Sequence, residues 1–96
     1  MQGITKIFII KSPEVWKDKP YDSKSDIWSL GCVLYEMLTL KPPFRAENME
    51  GLYNKVIQGK YTKLNERYSN DMADMIKMLL QVAPESRPTC GKIHFM

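Results

Sequence analysis

The sequence predicts an all-α fold, with a central buried helix over about residues 24–40 and amphipathic helices over about 48–58 and 69–82 around it. Three observations lead there. From Ile27 to Leu38 only Ser29 and Glu36 are clearly polar, which marks a helix apolar nearly all round. Two later windows carry apolar residues at i, i+3, i+4, i+7 and i+8, one helical face each. Each of these segments lies between a residue that can cap a helix and a Gly or Pro that ends one.

Taken in order, residues 1–11 alternate weakly and read as a strand or an unpaired tail. Ser12-Pro13-Glu14 then opens a short helix, with a Ser cap, Pro at the first position and an acid in the first turn. Lys17-Asp18-Lys19-Pro20 ends it within about two turns. The central helix starts near Ser23 or Ser25, either of which can cap it, with Asp26 in its first turn, and Lys41-Pro42-Pro43 stops it after Leu40. Asn48 caps the next helix, whose stripe is Met49, Leu52, Tyr53, Val56 and Ile57, and Gly59 ends it. Ser69 opens the one after, with Met72, Met75, Ile76, Leu79 and Leu80 on one face, and Pro84 closes it. Arg87-Pro88-Thr89 is a candidate start for a further helix.

Composition narrows the function classes. The chain has 96 residues, too few for more than one domain, and a domain of that size buries roughly 60–65% of its unfolded surface. Net charge is +3 with the Lys and Arg scattered, and no basic run suggests a nucleic-acid arm. Cys32 and Cys90 lack a CxxC spacing, and His94 has no Cys/His cluster beside it. Neither a disulfide framework nor a metal site is therefore expected, and a reducing, cytoplasmic setting fits, the nucleus being an alternative. The apolar run of the central helix is too short to span a bilayer, which needs about 20 residues.

The motifs point further. SPE at 12–14, DIWSLG at 26–31, KPPF at 41–44 and ESRPT at 85–89 follow one another at the spacings that close eukaryotic protein kinases. The chain resembles the lower part of the kinase large lobe (C-lobe), from the A-P-E element to the start of the last helix. Its fuller wording is most similar to the NIMA-related serine/threonine kinases. The resemblance covers about residues 12–93, leaves 1–11 as a non-matching segment, and stops at a truncated end, 94–96.

The resemblance implies roles for Ser12, Pro13, Glu14, Asp26, Trp28, Gly31 and Arg87 as structural motif residues. Glu14 is expected to pair with Arg87, and Asp26 to reach the backbone of a catalytic loop that these residues do not include. If Asp26 were buried without that loop, its carboxylate would lack a partner. Trp28 is expected in the core. The helix over 48–58 matches a kinase helix that contacts substrates and regulators, so Glu50, Asn54 and Lys55 on its outward face are candidate docking residues.

The chemistry of phosphoryl transfer needs a phosphate-covering Gly loop, a strand Lys, a catalytic-loop Asp and Asn, and a DFG Asp for Mg²⁺. The glycines at 3, 31, 51, 59 and 91 are nowhere spaced as GxGxxG, and VAIK, HRD and DFG do not occur. The sequence therefore predicts no catalytic, cofactor-binding or metal-binding residue here, with ATP and Mg²⁺ belonging to a longer parent kinase. It predicts a kinase fragment inactive alone, with protein substrates or regulators as the parent's partners and no nucleic acid or membrane. Three amphipathic helices seldom cover a fully apolar one, so an uncovered face and self-association are expected. Two alternatives are a non-catalytic interaction module or decoy, and a piece that complements a separate small lobe.

Overall fold

The computed structural model describes residues 11–65 and 67–89. The expectation of a strand or tail over 1–11 falls outside these except at Lys11, as do Cys90, His94 and the segment 94–96. The described residues contain helices and turns and no strand. Helix α1 is Pro13–Trp16, α2 Ser23–Thr39, α3 Met49–Gln58 and α4 Asn70–Leu79, followed by a 3₁₀ turn, Pro84–Ser86.

Local chemistry explains the boundaries, with corrections to the expected caps. Ser12 occupies the N-cap position of α1, but its side chain makes no capping bond. Helix α2 is capped by Asp22, not by Ser23 or Ser25: the Asp22 carboxylate accepts from the backbone N–H groups of Lys24 and Ser25. Ser25 completes the capping box from the third helical position, its hydroxyl accepting from the Asp22 N–H. At the other end Leu40 turns into the left-handed region (φ 64°) and its N–H still reaches Glu36 O. Asn48 caps α3 through the Gly51 N–H, and Gly59 ends it at φ 67°, where a side chain would be strained. Ser69 caps α4 through the Met72 N–H. That helix stops at Leu79, short of the expected 82, and Pro84 starts the 3₁₀ turn instead of closing α4. Arg87–Thr89 does not open a helix within the described residues; Arg87 is extended.

Packing follows from which faces meet. Helices α2 and α4 approach closely at Gly31, where an added Cβ would lie 2.8 Å from Leu79 Cβ. Trp28, Cys32, Tyr35, Phe44, Leu52, Val56, Ile76 and Leu80 form one core cluster. Trp28 stacks on Phe44 at 5.4 Å between centroids, and Tyr61 meets both Phe44 and Tyr35 edge-on. Helix α1 rests on α3, Trp16 meeting Tyr53 edge-on at 5.8 Å. The Cys32 thiol is pushed up to about 12 by burial, so it packs as a small inert hydrophobe. Five stripe residues lie at the margin of the contact: Met49 is exposed, and Tyr53, Ile57, Met72 and Met75 are half-buried, because Leu52 and Val56 on α3 and Ile76 and Leu79 on α4 already fill it.

The central helix carries the uncovered face that the helix count leads one to expect. It is not buried on every side. Val33, Met37 and Leu40 are 47%, 71% and 85% exposed and lie on one face with Asp26. The opposite face is held by α4 and by the segment carrying Phe44, Leu52 and Val56. Among the described residues nothing covers the face of Val33, Met37 and Leu40.

Candidate functional site

Two features of the structure hold the motif residues. The first is a buried polar knot that joins the two ends of the described chain. Arg87 Nη1 donates to Glu14 Oε2 and Nη2 to Glu14 Oε1, both at 2.8 Å, a fork-to-fork pair. The Arg87 residue is 2% exposed and Glu14 8%. The remaining guanidinium protons go to main-chain carbonyls: Nε to Gln81 O at 2.7 Å, Nη1 to Lys24 O at 2.7 Å and Nη2 to Val82 O at 3.1 Å. Arg87 O accepts from Lys24 Nζ at 2.7 Å. The Ser25 hydroxyl donates to Glu14 Oε2 at 2.9 Å, so the residue that completes the α2 capping box also holds the ion pair.

Burial by itself raises the Glu14 carboxyl, but the hydrogen bonds from Arg87, its own backbone and Ser25 outweigh it and bring the group to about 2. Arg87 also lies over the Trp28 ring, with its guanidinium carbon 5.1 Å from the centroid. Trp28 is fully buried, and its Nε1 has no hydrogen-bond partner among the described residues. Glu14, Arg87 and Trp28 thus come together at one place. Ser12 and Pro13 are buried beside Glu14 on α1, and Gly31 lies one turn along α2 at the α4 contact. Lys24 and Ser25 belong to the same knot; from the sequence Ser25 stood out only as a possible cap of α2, and Lys24 not at all. Ser25, three residues after an Asp that can cap, was the available signal for the second.

The second feature is the open face of α2. Asp26 is exposed in the first turn of α2, so the costly case of a buried carboxylate without a partner does not arise. Without a loop against it the side chain stands in water, where it complements the helix dipole. Val33, Met37 and Leu40 continue the face away from Asp26. Glu50, Asn54 and Lys55 are exposed on α3, apart from both features.

No group of three or more His, Cys, Asp or Glu that could hold a metal ion lies among the described residues. No described helix is long and apolar enough to cross a membrane.

The protein kinase domain family matches residues 5–95, a span that begins ahead of Ser12. Among similar proteins, a probable serine/threonine-protein kinase nek3 of Dictyostelium discoideum is 48% identical over 83 residues, 85% of this chain and 7% of that protein. Human serine/threonine-protein kinase Nek5 is 44% identical over 82 residues, 85% of this chain and 12% of its own length. Serine/threonine-protein kinase Nek7 of Arabidopsis thaliana is 48% identical over 81 residues, 84% of this chain and 14% of its own. The chain therefore spans only a small part of the relatives that it matches.

Proposed function

The chain belongs to the protein kinase family and resembles its NIMA-related serine/threonine members, and from that premise we propose that it is the lower part of such a kinase's large lobe. The parent enzyme transfers the γ-phosphoryl group of ATP to Ser or Thr of proteins, in the cytoplasm or nucleus, and meets protein substrates or regulators. The chain alone is inactive, because the parts that cradle the nucleotide, hold Mg²⁺ and accept the hydroxyl proton lie in other residues. Its own contribution is scaffolding: the Glu14–Arg87 knot fixes the segment at residues 12–16 against α2.

The observation that carries this reading is the open face of α2. An exposed acid at one end and exposed Val33, Met37 and Leu40 along the rest make a seat for the remainder of a lobe, not a finished surface. The test is the size and behaviour of the polypeptide that the cell makes. A species of kinase size is expected on intact-mass analysis. The 96-residue chain expressed alone should bind ANS, self-associate and lack a sharp thermal transition. A stable cellular species of 11.2 kDa that melts cooperatively as a monomer would overturn it in favour of a free-standing decoy module.

A further inference from the structure

A cleft of about 380 Å³ lies between the segment that follows α2 and the C-terminal half of α3, lined by Pro43, Arg45, Lys55, Lys60, Tyr61 and Thr62. It is separate from the Glu14–Arg87 knot. Three of its six lining residues are cationic and none is acidic. None of the three pairs with a described carboxylate. Between Glu50 and Glu66 the sequence holds Lys55, Lys60 and Lys63 and no Asp or Glu. Glu47 and Glu50 stand ahead of α3 and in its first turn, and neither lines the cleft.

The floor is built, not loose. Thr62 O accepts from the buried Tyr35 hydroxyl, and Tyr61 packs edge-on against Tyr35 and Phe44, both at 6.0 Å. Lys55 Nζ donates to Arg45 O at 2.5 Å, joining two sides of the cleft. The N–H of Lys60 donates to Lys55 O across the Gly59 turn, which holds the third cation near the second.

We propose that this cleft docks an acidic segment of a partner protein, the carboxylates meeting Arg45, Lys55 and Lys60. This goes beyond the kinase reading and needs only the local fold around α3. Charge complementarity selects the occupant. A small apolar ligand needs a mostly apolar pocket, which these walls are not. A single-stranded nucleic acid needs an open aromatic face on which bases stack, and Tyr61 is already engaged with Tyr35 and Phe44.

The test uses the polypeptide that carries these residues, as the cell makes it, and a fluorescein-labelled peptide of alternating glutamate and glycine followed by anisotropy. Saturable binding that weakens with salt is expected, with none for the glutamine counterpart. The combined Arg45→Glu, Lys55→Glu, Lys60→Glu variant should lose about tenfold or more in affinity. A variant with the same charge change elsewhere, Lys17→Glu, Lys19→Glu, Lys77→Glu, should bind as before. Equal loss in both variants, equal binding of the glutamine peptide, or tighter binding of an oligonucleotide of matched charge each overturns the proposal. Acetylation of the unsubstituted protein, read by mass spectrometry, decides the matter even if the cleft variant fails to fold. The peptide should protect Lys55 and Lys60 but not Lys17 or Lys19, and failure to protect them refutes the site.

Discussion

Arg87 gives a donor to each oxygen of Glu14 and its other protons to the carbonyls of Lys24, Gln81 and Val82, so no face of the buried guanidinium is idle. Removing one member leaves the other charged and dry. Arg87→Met should lower stability by roughly 3–5 kcal/mol, measured by urea denaturation of the polypeptide. Adding Glu14→Leu should restore only part of that loss, because the carbonyls of Gln81 and Val82 lose their Arg87 donors; full recovery would show that the pair alone matters. The same carboxyl sets an acid limb. Its folded value is about 2 against 4.5 for the free group, so on acidification the unfolded chain takes up the proton first. The stabilisation is complete above the unfolded value and drains away as pH falls from 4.5 towards about 2. A urea midpoint that drops across this window, and drops less in Glu14→Gln, is the expected result. Glu14, Trp28 and Arg87 were legible as motif members. Lys24 and Ser25 were not, because a lysine ammonium and a serine hydroxyl on a helix's first turn look like ordinary surface groups until the fold brings residue 87 to them.

At the scale of elements, the stripes on α3 and α4 were readable from their period, and so were the Asn48 and Ser69 caps. The start of α2 was placed correctly near Ser23, but its cap was misassigned because Asp22, Ser23 and Ser25 are all good cap residues. The sequence alone does not say which backbone amides each one reaches. The contact between α2 and α4 depends on Gly31. An alanine there would set its Cβ 2.8 Å from Leu79 Cβ and 2.9 Å from Leu80 Cδ2. Leu80 has a side chain that can shift, but Leu79 Cβ is fixed to its backbone, so the helices must separate. Gly31→Ala is expected to lose roughly 1–3 kcal/mol despite alanine's better helix propensity, a sign that a thermal melt would decide.

At the scale of the whole molecule, the open face of α2 governs behaviour. Val33→Glu, Met37→Glu and Leu40→Glu together should reduce ANS binding and self-association of the isolated chain, read by fluorescence and sedimentation velocity, while its helical circular dichroism persists. In a complete kinase the same three changes should instead destabilise the large lobe, because they would bury charges without partners. Opposite signs in the two settings would locate the missing cover on this face. Loss of helicity in the isolated chain would instead assign these residues to its core.

The sequence by itself determined the all-helical class, the order of the helices, most of their ends and the family, because periodicity, capping chemistry and ordered motifs are local or linear properties. Only the tertiary structure decided which side of α2 stays open. A helix apolar all round states that every side wants cover but not which neighbours arrive, and here α4 and the segment around Phe44 supply cover for only part of it. Tertiary structure likewise decided that Asp26 faces water, that Ser25 and Lys24 complete the knot, and that Arg45, Lys55 and Lys60 share one cleft. Sequence spacing alone does not bring these groups together, Arg87 lying 63 residues from Lys24, and their chemistry depends on what the fold sets beside them.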